Sequence, residues 1–209
     1  RPLAFEDYEM LSLAFHRLIL PVIAMTLVVV ASNILVQYPF TPFDLGDYLT
    51  WGAFTYPVAF LVTDLTNRRY GPRVARQLVI AGFAVAVVLS IWLATPRIAL
   101  ASGTAFLVGQ LLDITVFNRL RRQAWWRAPF VGSIIGSALD TILFFSLAFA
   151  GDPDMSGSVN LFGTEVMLWQ SLAVFDFSVK MLIALIALLP YGALMSVILP
   201  MERAEKASV

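Results

Sequence analysis

Five ionisable side chains stand inside or at the edges of long apolar runs: Asp64, Asp113, Asp140, Asp176 and Lys180. Two amides, Asn33 and Gln110, join them. A charge at hydrocarbon depth costs ~2.5–3.5 kcal/mol on insertion scales, so such groups are candidates for handling a polar solute or an ion. Lys180 is the only basic residue deep in a run, and Asp176 precedes it by four residues, on the same helical face and in the favourable acid-first order. Two arrangements are open: a private Asp176–Lys180 pair that neutralises both, or Lys180 reaching Asp140 on a neighbouring run. Asp140 continues Gly132 and Gly136 at four-residue spacing. A Gly-xxx-Gly stripe lets another helix approach closely, so Asp140 should face protein rather than lipid.

Gln110 lies three residues before Asp113, on the same face and deeper, which makes this pair a stronger site candidate than Asp64. Asp64 precedes Arg68 by four and is expected to meet it as a helix-surface couple. The Asn33 amide serves either as glue between helices or as a hydrogen-bonding arm for a ligand. Other chemistries lack their parts. The absence of cysteine removes disulfides, thiolate metal sites and cysteine nucleophiles, and the single histidine, His16, cannot build a histidine-rich metal site. No His-Glu-xx-His pair and no phosphate-binding glycine loop occur. An aspartyl mechanism could recruit Asp113 and Asp140, but Lys180 and the missing flanking glycine motif argue against it. No catalytic residue, metal or cofactor is expected. Zero net charge gives no hint of a nucleic-acid partner.

These groups must be held by helices in lipid. Of 209 residues, 59% are hydrophobic and 13% charged, about half the charged share of a soluble domain. A bilayer core needs about 20 apolar residues as helix, and only closed backbone hydrogen bonding is tolerated there. Six such runs are present: Leu18–Tyr38, Tyr48–Thr66, Leu78–Thr95, Ile98–Phe117, Phe130–Ala150 and Ser171–Leu199. The expected fold is an all-α membrane protein, a single transmembrane domain over 1–209 forming a six-transmembrane-helix bundle in contact with the bilayer. The third and fourth runs, separated by Pro96 and Arg97, should form a tight antiparallel pair. Arginines crowd alternate connections: Arg68, Arg69, Arg73 and Arg76 in one, Arg119, Arg121, Arg122 and Arg127 in another, with Arg1, Arg17, Arg203 and Lys206 at the ends. The remaining connections hold Asp44, Asp47, Asp152, Asp154 and Glu165 and, among basic residues, only Arg97. The positive-inside rule then places both termini in the cytoplasm.

Arg1 in place of methionine suggests an incomplete N-terminus, and no cleavable signal peptide is expected. Pro57 and Pro190 should kink their helices. The stretch Gly151–Gly163 is expected as an exposed connection. Tyr38, Trp51, Phe54, Tyr56, Trp125 and Trp126 fit an interfacial aromatic belt. A weak internal echo pairs Asp64-Leu65-Thr66 with Asp113-Ile114-Thr115, each followed soon by Asn-Arg (Asn67-Arg68 and Asn118-Arg119). The Gly132/Gly136 face could join helices within one subunit or across a homodimer.

Several blocks resemble a known family. They are Thr50-Trp51-Gly52-Ala53-Phe54-Thr55-Tyr56-Pro57, running on through Phe60 to Asn67 and Tyr70-Gly71; Gly109-Gln110-Leu111-Leu112-Asp113 followed by Val116 to Arg121; and Trp125-Trp126-Arg127-Ala128-Pro129 with Ser137, Asp140-Thr141 and Phe144-Phe145. Ala31 to Val36, Asp176-Phe177, Lys180 and Pro190-Tyr191 extend the match. Together they resemble the queuosine precursor transporters, a bacterial inner-membrane group of the vitamin uptake transporter type. The resemblance implies a multi-pass protein of the inner (cytoplasmic) membrane that imports a 7-deazaguanine base, 7-cyano-7-deazaguanine, for queuosine biosynthesis. A carboxylate suits the N1–H and 2-amino edge of that base, since charge-assisted bonds are the stronger kind. Asp140 or Asp113 is expected there, Gln110 and Asn33 on the remaining edges, and Lys180 as a charge partner that changes with state. The alternatives are a substrate-capture subunit of an ATP-driven vitamin importer and, further off, an intramembrane enzyme.

Overall fold

A computed structural model gives the fold over residues 5–46, 48–93, 95–195 and 197, with side chains from residue 18 onward except that of residue 93. Asp47, Arg1, Arg203, Lys206 and the last residues of the expected sixth span lie outside the described residues, as do the side chains of His16 and Arg17. The helices are α1 Phe5–Leu35, α2 Gly52–Thr55, α3 Val58–Tyr70, α4 Pro72–Leu93, α5 Pro96–Leu120, α6 Arg127–Phe149 and α7 Leu168–Leu194. Five stretches are long and apolar enough to cross a membrane: Leu18–Leu35, Pro72–Trp92, Pro96–Leu120, Arg127–Phe149 and Leu168–Leu194. Their outer faces are apolar, with Leu20, Ile91, Trp92, Leu100 and Leu189 exposed, whereas Asp64, Asn67, Gln110, Asp113, Asp140 and Lys180 are buried. That arrangement inverts the usual interior of a soluble domain and suits lipid as the solvent.

The stretch expected as one span over Tyr48–Thr66 is instead a discontinuous helix, α2 followed by α3, and neither piece alone has spanning length. Pro57 has no N–H to give the carbonyl four residues back. The flanking bonds tighten to three-residue steps, Ala59 N–H to Tyr56 O at 3.0 Å and Phe60 N–H to Pro57 O at 3.1 Å. At its far end α3 runs past Thr66 to Tyr70 and stops at Gly71, whose φ of 85° suits glycine, with its N–H on Asn67 O at 2.9 Å. Pro72 then opens α4, which begins before the expected Leu78 because the turn carrying Arg73 and Arg76 is helical too.

Thr95 caps α5, its hydroxyl accepting from Ile98 N–H, and Pro96 occupies the first turn. Arg97, the lone basic residue of the acidic connections, has a structural task. Its guanidinium donates to Leu147 O at 3.0 Å and Ala150 O at 2.7 Å, carbonyls that the end of α6 leaves without helical partners. The connection after α6 is more ordered than a plain loop: Ser158–Leu161 and Thr164–Met167 form an antiparallel hairpin, β1–β2. Its turn residues Phe162 and Gly163 both take positive φ, 50° and 89°. That backbone matches the twist of a two-residue hairpin, a signal that the loop reading missed.

The closest helix pair is α5 with α6, set by glycine. A Cβ on Gly109 would stand 2.9 Å from Asp140 Cβ and 3.0 Å from Gly136 O. A Cβ on Gly136 would stand 2.9 Å from both Asp113 Cβ and Gly109 O. The two helices thus cross antiparallel through matching Gly-xxx-Asp segments, Gly109…Asp113 and Gly136…Asp140. The Gly132/Gly136 stripe is therefore occupied inside the chain and offers no face to a second copy.

Candidate functional site

Helices α3, α6 and α7 enclose a narrow cleft lined by Phe60, Asp64, Ser133, Ser137, Lys180 and Tyr191, with Pro57, Leu61 and Leu188 among its apolar walls. Polar side chains gather in three layers along it. The first is built on Lys180, which is 3% exposed. Its Nζ donates to Asp140 Oδ2 at 2.7 Å and Thr141 Oγ1 at 2.9 Å, and lies 2.6 Å from Asp176 Oδ2. Thr141 in turn donates to Asp176 Oδ2 at 2.9 Å. The Tyr56 hydroxyl, delivered by the α2–α3 break, donates to Asp140 Oδ1 at 3.0 Å, and the ammonium lies 5.5 Å from the Tyr56 ring centroid. Lys180 thus reaches Asp140 while it keeps Asp176, so the expected Asp176–Lys180 pair forms but is not private, and both oxygens of Asp140 are occupied. Tyr56, expected as an interfacial aromatic, belongs to this layer.

The middle layer is under-satisfied. Asp64 and Asp113 bring their carboxyls within hydrogen-bonding reach of one another. Ser133 donates to Asp64 Oδ2 at 3.4 Å, but Asp64 Oδ1 and both Asp113 oxygens accept from no N–H or O–H donor. Gln110, fully buried, has neither its amide nitrogen nor its oxygen bonded. Native proteins leave few such groups, and each calls for an explanation. Gly132 makes room here: a Cβ on it would lie 2.5 Å from Asp113 Oδ1.

The third layer closes the arginine-rich end. Arg68 does not pair with Asp64 as the spacing had suggested. It donates through Nε to Tyr191 Oη at 2.8 Å and through Nη1 to Arg121 O at 2.6 Å, with its guanidinium 5.0 Å from the Phe117 ring centroid. Arg121 answers by donating to Asn67 O at 2.9 Å and Arg68 O at 3.3 Å. The two arginines thus clasp each other's helix ends through charge-assisted bonds to carbonyls of the last turns, Asn67 O being shared with the Gly71 N–H. Trp125, expected in the aromatic belt, lies nearly parallel to Tyr191, ring centroids 6.4 Å apart, and fits over Gly192.

The internal echo acquires a geometry. Thr66 and Thr115 make the same back-bond to the carbonyl four residues earlier, at 2.7 and 2.8 Å, and Asp64 faces Asp113, whereas Arg68 meets Arg121 rather than its counterpart in the echo, Arg119. Of the expected site residues, Asp140, Asp176 and Lys180 form one cluster and Asp64 and Asp113 another, with Gln110 one turn from Asp113. Asn33 stands apart, its amide donating to Val29 O of its own helix at 2.9 Å. The structure adds Tyr56, Ser133, Thr141 and Tyr191, which single-residue polarity in the sequence did not mark. The cleft is closed to about 10 Å³, room for about one water.

Residues 50–195 match the family described as "Putative vitamin uptake transporter". A protein of Escherichia coli K12 named "Queuosine precursor transporter" is 37% identical over 205 residues, covering 88% of this chain and 88% of that one. A Haemophilus influenzae protein named "Probable queuosine precursor transporter" is 35% identical over 206 residues, covering 82% and 83%. A Bacillus subtilis protein of the same name is 26% identical over 175 residues, covering 70% and 71%. No solved structure matches.

Proposed function

The chain belongs to the vitamin uptake transporter family, and from that premise we propose that it is a secondary transporter of a queuosine precursor, 7-cyano-7-deazaguanine, in the bacterial inner membrane. In this reading α2 and α3 together make the second of six spans, both termini are cytoplasmic, and the chain is a carrier, not an enzyme. The observation that supports it is Asp64: a carboxylate 2% exposed that faces the cleft with one oxygen accepting no hydrogen bond.

A deazaguanine presents N1–H and a 2-amino group side by side, the pattern a carboxylate accepts in two parallel bonds. Asp64 fits that edge better than Asp140, whose oxygens are held by Lys180 and Tyr56. The aromatic rings of Phe60 and Tyr191 give the flat base its walls. The Ser137 hydroxyl lines the same cleft as a donor for the 6-oxo group, since the three N–H donors of Lys180 are held by Asp140, Thr141 and Asp176. Because the cleft now has room for about one water, solute entry requires α7 to swing from α3 and α6. The Arg68–Tyr191 bond is the contact that must open at the arginine-rich end.

Binding of 7-cyano-7-deazaguanine to the purified protein tests the assignment, with adenine, which lacks the N1–H and 2-amino edge, as control. Asp64→Asn turns one acceptor into a donor facing a donor. Losing a charge-assisted bond of about 1.5–3 kcal/mol should weaken binding about 10–100-fold. Undiminished affinity in Asp64→Asn would remove the assignment. Solute flux in vesicles holding this protein alone supports a carrier. Flux only after addition of an ATPase pair would favour the capture-subunit alternative.

A further inference from the structure

We propose that the Asp64–Asp113 carboxyl pair is a proton-binding site that carries one proton with each solute molecule; the coupling rests on the carrier reading above. Two buried carboxyls within hydrogen-bonding reach cannot both hold a negative charge without a cation between them, so the pair shares a proton. Among the described residues both ion pairs centre on Lys180, and neither Asp64 nor Asp113 has one.

Arg68 lies near enough to act on Asp64 through space, but among the described residues no cation makes an ion pair with either carboxyl. On α3, Arg68 is turned to Tyr191 and to Arg121 O. On α5, Gln110 is neutral. On α6, Ser133 gives Asp64 one bond of 3.4 Å, and Gly132 and Gly136 bring only backbone. From α7, Tyr191 gives its hydroxyl oxygen to Arg68; Arg121, which follows α5, directs its guanidinium to Asn67 O, Arg68 O and Asn118 Oδ1. Three carboxyl oxygens, Asp64 Oδ1 and both of Asp113, are left without an N–H or O–H donor; a proton held between the two carboxyls satisfies Asp64 Oδ1 and one oxygen of Asp113.

The same proton couples to the solute. With Asp113 neutral and Asp64 charged, Asp64 can accept both donors of the base. With the proton absent, two adjacent charges oppose closure of the cleft; with a proton on Asp64, one acceptor is lost. Solute and proton therefore favour one another in the closed state, and such coupling is reciprocal.

Two measurements test this in the full chain. In proteoliposomes with an interior about one pH unit more alkaline and the membrane potential clamped at zero, 7-cyano-7-deazaguanine should accumulate about tenfold at one proton per solute. The ratio should fall to about one when the gradient is collapsed, and in Asp113→Asn even with the gradient imposed. This steady-state ratio is thermodynamic, so a variant that is only slow still reaches the wild-type value. An accumulation ratio of one in the wild type, or a sodium gradient that replaces the pH gradient, overturns the coupling. Independently of any solute, infrared spectra of the purified protein at neutral pH should show a protonated carboxyl band that Asp113→Asn removes. Its absence from the wild type overturns the proton site. Wild-type vesicles that exchange no solute would instead remove the carrier reading and the coupling with it, while the carboxyl band still decides whether the pair holds a proton.

Discussion

Lys180→Met should lower the unfolding free energy by about 3–5 kcal/mol, because it leaves the buried Asp140 and the half-buried Asp176 without their cation. Among the described residues the ammonium alone touches both acids and Thr141, so three contacts weaken together: the Lys180–Asp140 tie of α7 to α6, α7's own Asp176–Lys180 pair, and, through Asp140, the Tyr56 turn. Methionine keeps the volume and the unbranched stem, which separates charge from packing. Unfolding in detergent micelles by heat or by sodium dodecyl sulfate measures the loss. The triple variant Lys180→Met, Asp140→Asn, Asp176→Asn removes the stranded charges and should recover most of the stability while transport stays lost. Equal stability of Lys180→Met and wild type would mean that water reaches this layer and the charges are not desolvated.

The second large effect is expected at Gly136. A methyl there meets Asp113 Cβ, Gly109 O and the Phe60 ring, each at 2.9 Å, so a backbone carbonyl and two packed side chains stand in its way. Overpacking of this kind costs about 1–3 kcal/mol for an added carbon, and Gly136→Leu should exceed Gly136→Ala. Either variant pries α5 from α6, and with it Asp113 from Asp64, so uptake should fall more steeply than melting temperature. Gly132→Ala makes the milder comparison, since its closest neighbour at 2.5 Å is a carboxylate oxygen at the end of a side chain, which can rotate away. Ile135→Ala, on the outward face of the same helix, should change stability by less than about 0.5 kcal/mol. If Gly136→Ala melts like Ile135→Ala, the close crossing of α5 and α6 is not what holds the site.

Much of the fold was legible because lipid imposes a simple rule on sequence: apolar runs of spanning length must close their own backbone bonds. Five of the expected runs correspond to long apolar helices, and the small residues Gly132 and Gly136 did mark the tightest crossing. The partner stripe was also visible, as Gly109…Asp113 repeats the Gly-xxx-Asp of Gly136…Asp140. Where reading by composition failed, the cause was local chemistry that apolarity does not encode. Pro57 divides the expected second span, the arginines of the α3–α4 turn extend a helix rather than interrupt it, and a positive-φ turn at Phe162–Gly163 folds a hairpin out of a supposed loop.

By itself the sequence determined the solvent, the helices and the shortlist of buried polar groups, because the cost of placing charge in hydrocarbon is a property of residue type and position along a run. It could not assign partners. Whether Lys180 answers Asp176 alone or Asp140 too, whether Arg68 meets Asp64 or Tyr191, and which carboxylate keeps a free oxygen toward the cleft depend on side chains 40 to 123 residues apart in the chain meeting within about 3 Å, the range of a hydrogen bond. Only the crossing of α3, α5, α6 and α7 fixes those distances, and that crossing turns Asp64, Asp113 and Gln110 into an under-satisfied layer while it closes Asp140 and Lys180 into a complete one.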